Sequence, residues 1–166
     1  MAAGSVEGLV EQFRAAGRDE VAVRSALGRL LAVTDSRAAG LWRVQDGLLC
    51  QLGFEAVADM PVETQVEFRA LTRSLGLEQT GYGIVKAAVT AEPTIGRLDP
   101  QETGLAGSAN WLVRFESQQS LAMPIRTGGR IRGVVAISRA ETFGLESDSA
   151  QILRQLAAGL SEMLAD

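Results

Sequence analysis

Two dipeptides constrain this chain more than anything else in it: Asp46-Gly47 and Gly128-Gly129 each fall between short apolar runs. Such pairs favour two-residue hairpin loops, because both central residues must take positive φ. The spacing predicts strands over Ala38–Val44 and Leu48–Phe54, and again over Ser120–Arg126 and Ile131–Arg139. In the last of these, both alternating sets, Ile131/Gly133/Val135/Ile137 and Val134/Ala136, are mostly apolar. A strand apolar on both faces belongs in the middle of a sheet with a layer on each side.

Around the hairpins the apolar period becomes helical. Val6, Leu9, Val10 and Phe13 predict a short helix with Ser5 as its cap and Gly17 as its end. Asp19 reads as a fresh N-cap for a second helix that buries Val23, Ala26, Leu27, Leu30 and Leu31. After Pro61, the residues Val62, Val66, Leu71 and Leu75 predict a helix with that stripe inward, Glu63, Glu67 and Arg69 elsewhere, and Gly76 as the stop. Gly81 and Gly83 introduce a helix over Ile84–Thr90, which ends at Ala91-Glu92-Pro93 because proline cannot continue the ladder. Ser147 caps a last helix carrying Ile152, Leu153, Leu156, Ala157, Leu160, Met163 and Leu164. Between these, Gly96–Ser117 has the weakest period and reads as a long loop with one helical turn. Loops of that length inside a compact domain are usually functional.

Composition removes whole classes of chemistry. The chain has no histidine and a single cysteine, Cys50. His-ligated haem, His-containing zinc sites and Ser-His-Asp or Cys-His relays are therefore ruled out, as are an intrachain disulfide and a CxxC redox pair. At 166 residues, 46% hydrophobic and 22% charged, the chain suits one domain with a real core. A net charge of −4 lowers the expectation of nucleic-acid binding, which needs a dense basic face. No apolar run is long enough for a membrane span, and the start, Met1-Ala2-Ala3-Gly4-Ser5, lacks the basic and apolar regions of a signal peptide. The expected location is the cytoplasm, with neither nucleic acid nor membrane as partner.

Three segments, taken in order, resemble the GAF domain family. Gly81-Tyr82-Gly83-Ile84-Val85-Lys86-Ala87-Ala88-Val89-Thr90-Ala91-Glu92-Pro93 looks like the family's glycine-opened helix and its closing corner, with Asp99 near the acidic residue that often follows. Ser120-Leu121-Ala122-Met123-Pro124-Ile125-Arg126 and Gly128–Ala136 resemble its second hairpin, in which a proline sits within the strand. Phe143–Ala158 is similar to its closing helix. The resemblance divides the chain into an N-terminal helical extension, residues 1–18, and a GAF domain, residues 19–166. It implies an α+β fold, related to PAS domains: a central antiparallel sheet with terminal helices on one face and a pocket-covering layer of helix and loop on the other. It further implies a non-enzymatic sensory or signalling module that binds a small molecule, forms a homodimer through its terminal helices and acts on an output protein.

The pocket implied by the resemblance lies between the sheet, the helix after Tyr82 and the Gly96–Ser117 loop, with Tyr82, Trp111, Arg114, Phe115 and Met123 as its binding residues. Trp111, Arg114 and Phe115 either grip a planar or acidic ligand or, for the two aromatics, fill the underside of the lid. Gly81 and Tyr82 open a helix whose free amides either hold an anion or form a plain turn. No cofactor is specified. The Asn-Lys-Phe-Asp-Glu motif of cyclic-nucleotide-binding relatives is absent, and Cys50 stands on a strand, away from the pocket helix where bilins attach. Free-methionine-sulfoxide reduction in this family uses several cysteines, since a sulfenic acid needs a second thiol to resolve it. Cys50, among Leu48, Leu49 and Leu52, is read as a small hydrophobe. Arg126, Arg130 and Arg132 are read as the charges of a solvated turn. The alternatives to ligand binding are a scaffold whose pocket has filled with side chains and which works through protein contacts, and, behind it, a redox enzyme of the free-methionine-sulfoxide-reductase type.

Overall fold

A computed structural model describes residues 3–164. The ends of the two expected segments, 1–18 and 19–166, and Met1 and Ala2 of the expected leaderless start, lie outside the described residues. The chain runs α1 (Ala3–Ala16), α2 (Glu20–Thr34), β1 (Ala38–Gln45), β2 (Leu48–Ala56), α3 (Val62–Leu71), β3 (Ser74–Gly76), α4 (Gly83–Thr90), β4 (Thr94–Arg97), α5 (Pro100–Thr103), α6 (Ala106–Phe115), β5 (Gln119–Thr127), β6 (Arg130–Arg139) and α7 (Asp148–Gly159). The strands form one six-stranded sheet in the order β3-β2-β1-β6-β5-β4, and every described pairing is antiparallel. The fold class is α+β, as the motifs implied.

Both hairpins form at the expected turns. Asp46 and Gly47 take φ of 53° and 76°, and Gly128 and Gly129 take 58° and 83°. The doubly apolar β6 lies between β1 and β5, with Val134, Val135 and Ile137 buried. Pro124 of β5 pairs with Val134 of β6, while β4 reaches only from Gln119 to Ala122. The proline thus stands where β5 has a strand on one side alone, which a residue without an N–H tolerates.

The sheet separates two apolar layers. On one side α1, α2 and α7 pack over it through Leu9, Phe13, Val23, Leu27, Leu30, Leu153, Leu156 and Leu160. Asp19 caps α2 by accepting from the amides of Val21 and Ala22, and Ser147 caps α7 by accepting from Ala150 N. Gly17, at φ 58°, ends α1 as expected. The helix starts at Ala3, ahead of the Ser5 marked as its cap. Arg14 ties α1 to α7 through Gly159 O, with Nε at 3.2 Å and a terminal nitrogen at 3.0 Å. On the other side Trp42, Phe54, Phe68, Ile84, Val85 and Phe115 form a second layer beneath α3, α4 and α6.

Two expectations need correction. In α3 the stripe that faces inward is Thr64 and Phe68, while Val62, Val66 and Leu71 are 72%, 53% and 42% exposed. Positions two apart lie about 200° apart around a helix. Burying the larger Phe68 ring therefore turns Val62 and Val66 outward. The helix also stops at Leu71, so Leu75 is buried from a short strand, β3, and not from the helical stripe. The segment Gly96–Ser117 is no loop: it holds the end of β4, the single turn α5 and the ten-residue α6. Gly107, Ser108 and Asn110 are poor helix formers and obscured the period; burial of Leu105, Ala109, Leu112 and Phe115 supplies what propensity lacks.

Candidate functional site

A cavity of about 70 Å³ lies between the sheet and the layer of α3, α4 and α6. Its floor is the backbone and side chains of β1, β5 and β6, and its walls carry Trp42, Phe54, Phe68, Tyr82, Trp111 and Phe115. Polar groups are few: the hydroxyls of Ser108, Ser120 and Ser138 and the phenol of Tyr82. No charged side chain lines it. The arrangement can hold an apolar or aromatic group and offer it hydroxyl hydrogen bonds, but it has nothing to neutralise a charge.

Each wall has a sequence cause. Trp42 projects from β1 and is 2% exposed; its indole lies over Gly40, where a Cβ would collide with the ring. Its Nε1 donates to Thr72 O at 2.9 Å, which pins the end of α3 to the sheet. Gln51 Nε2 donates to Thr72 Oγ1 at 2.8 Å, a second tie at the same point. Phe68 reaches down from α3 into the other rings, 4.7 Å from Phe54 and 5.0 Å from both Trp111 and Phe115, centroid to centroid. Arg69 follows it, donating to Phe54 O at 3.1 Å with its guanidinium 5.7 Å from the Phe54 ring. Burial, and next the neighbouring Arg24, hold the Arg69 guanidinium below its ordinary pKa.

The rim is closed by an exchange between α4 and α6. Gly83 N donates to Ser108 Oγ at 2.7 Å, and Ser108 N donates to Gly81 O at 3.2 Å. Gly107 leaves room for the Tyr82 ring, which a Cβ there would strike. Ser108 thus satisfies the first amide of α4, the group from which an anion site was one expectation. At its other end, α6 is held by Arg37 Nε donating to Phe115 O at 2.7 Å.

Of the five expected binding residues, the structure brings Tyr82, Trp111 and Phe115 together around the cavity. Arg114 stands outside it: a terminal guanidinium nitrogen pairs with Glu67 at 2.8 Å, and its carbon lies 4.5 Å from the Trp111 ring centroid. Met123 faces the terminal helices, buried in the opposite layer. Alternation along β5 explains this, since Ala122 turns to the cavity layer and its neighbours Leu121 and Met123 turn away. Sequence reasoning missed Trp42, Phe54, Phe68 and Ser108. The glycine two residues before Trp42 was a usable signal for a ring lying back over the strand. Cys50, half-buried on β2 opposite Arg43 and Ser74, is not among the cavity residues.

The sequence model of the GAF domain family matches residues 19–163. The chain belongs to the GAF domain family. Solved structures of low identity share its fold, and they bear on the fold alone. One is the GAF domain of a phosphoenolpyruvate-protein phosphotransferase from Coxiella burnetii, at 18% identity and TM-score 0.69, covering 98% of this chain and 91% of that one. Another is the nlh2 GAF domain of A. aeolicus in an inactive state, at 14% identity and TM-score 0.68, covering 97% and 96%. A third is a type II free methionine-R-sulfoxide reductase from Thermoplasma acidophilum, at 16% identity and TM-score 0.62, covering 94% of each chain. No curated protein sequence matches this GAF domain significantly. Among the described residues, no helix is long and apolar enough to cross a membrane.

Proposed function

We propose that this GAF domain is a non-enzymatic signalling module whose cavity takes a small, uncharged, aromatic or otherwise apolar ligand. The observation that supports this reading is the lining itself, rings on the walls and serine hydroxyls as the polar points, with no ionic group. Ligand sites are mostly apolar with a few placed polar groups, and this lining has that character. An acidic ligand held by Arg114 finds no support, because that guanidinium is engaged by Glu67 outside the cavity. Redox catalysis of the kind named for the Thermoplasma relative finds little support either, since the lone thiol is away from the cavity.

The partner-facing part of the proposal, a second copy or an output protein, falls to the outer surface of the terminal helices. Their large apolar residues are covered within the chain, and Val21 is the large apolar side chain that these helices leave exposed among the described residues. Contacts there would rest on polar groups.

A scaffold is the second reading, and one quantity favours it. The cavity holds about 70 Å³, against roughly 300–1,000 Å³ in typical small-molecule sites. Thermal-shift and native mass spectrometry on a panel of neutral aromatics, alongside their carboxylate and ammonium counterparts, separates the two. The ligand reading expects stabilisation by neutral members alone. Silence across the panel favours the scaffold, and preference for the charged members contradicts the lining argument.

A further inference from the structure

One residue of the cavity wall, Phe68, reaches in from α3. Phe68 is in contact with four other aromatic rings: besides Phe54, Trp111 and Phe115, it meets Trp42 edge-on at 6.4 Å. It is 8% exposed, yet the helix that carries it is the least embedded wall of the site. Thr64 and Phe68 are the buried residues of α3, whereas Val62, Glu63, Val66, Glu67, Ala70 and Leu71 are exposed. The remaining walls are harder to move. The floor is held by the sheet ladder, α4 buries Ile84, Val85, Ala87 and Ala88, and α6 is fastened at both ends through Ser108 and Phe115 O.

The ties on α3 are also uneven. Its C-terminal end is fixed at Thr72 by Trp42 and Gln51, one turn beyond Phe68, and at Arg69 by its own bond to Phe54 O and by Gln51 Nε2 donating to Arg69 O at 3.3 Å. Its N-terminal end starts at Pro61 without a side-chain cap, and Gln65 Nε2 to Met60 O, at 2.9 Å, is the side-chain bond there. A rotation about the end held at Arg69 and Thr72 would lift Phe68 at the expense of the Glu67–Arg114 pair, leaving the ladder and both other helices in place.

We propose that Phe68 is a built-in plug of the ligand site, and that the ligand is a neutral single-ring aromatic which displaces it, swinging α3 outward. The inference rests on the reading of the cavity as a ligand site and adds the ligand's size and the element that moves. A ring of phenyl dimensions would inherit the stacking and edge contacts that Phe68 makes, and a hydroxyl on it would find the serines of the floor and rim. Displacement of Phe68 would also break the Glu67–Arg114 pair, carrying occupancy of the site to the outer face of α3 and α6.

Phenol is the probe, tested on the wild-type chain and on Phe68→Ala, with Phe68→Leu as a milder variant should the alanine fold poorly. Affinity is read by calorimetry, and α3 by amide hydrogen exchange with and without phenol. The plug expects at least tenfold tighter binding in the alanine variant, an intermediate gain in the leucine variant, and faster exchange over Val62–Leu71 in the wild type when phenol binds. Wild-type binding with unchanged or slower exchange in α3, or with no gain on shortening Phe68, overturns the plug and leaves the ligand site standing. Absence of binding to wild type and variants alike overturns the ligand reading itself, and the plug with it.

Discussion

At the scale of single residues, Trp42 is the side chain on which most of the site depends. It fills the space above Gly40, meets Phe68 edge-on, and fixes the end of α3 through its indole N–H. Trp42→Phe would keep much of the apolar contact but leave Thr72 O without that donor. A buried polar group that loses its partner costs about 1–3 kcal/mol. Urea unfolding should register a loss of that size; a change near zero would show that the bond carries no net stability. Apart from Gly40, which leaves room for a ring lying back over the strand, none of this was legible beforehand. A tryptophan in an apolar strand reads only as core, and that its ring would turn toward the cavity layer depends on strand pairing that spacing cannot supply. Met123 shows the same limit from the other side: its place in the hairpin was read correctly, but the parity of β5 sends it to the wrong layer.

Elements with a local signature were read best. Asp19, Ser147, Asp46-Gly47 and Gly128-Gly129 act through their own or adjacent residues, and each does in the fold what its chemistry implied. Elements stabilised from a distance were not. The α6 helix contains Gly107 and Ser108 because the Tyr82 ring and the Gly83 amide need them, and those needs lie some 25 residues away in sequence. In α3 the period was real but its phase was wrong, since one phenylalanine outweighed two valines. The bridge between α4 and α6 gives a test at this scale. Ser108→Ala removes the acceptor of Gly83 N and should cost about 1 kcal/mol. Amide exchange should quicken at Gly83 and the start of α6, while the terminal-helix side stays unchanged; an even change across the molecule would argue against a local tie.

Across the whole molecule, the sheet divides the labour. One face is packed by α1, α2 and α7 into a core with Leu9, Phe13, Leu27, Leu30, Leu153 and Leu156 almost fully buried, and it supplies rigidity. The other face keeps an aromatic-lined cavity under a layer tied at α4 and α6 and, in α3, chiefly at its C-terminal end. GAF membership was readable from three ordered motifs, because those motifs mark turns and caps that the fold needs. The chemistry of the cavity was not, because the lining comes from β1, β2, α3, α4, α6, β5 and β6 at once. The central claim is that this cavity binds a neutral aromatic ring. A two-dimensional amide NMR titration of the wild-type chain with phenol tests it most directly. The expected result is saturable shifts centred on Gly83, Ser108, Trp111 and Ser138, with the outer surfaces of α1, α2 and α7 unmoved. Absence of shifts at millimolar phenol, or shifts confined to those outer surfaces, would contradict it.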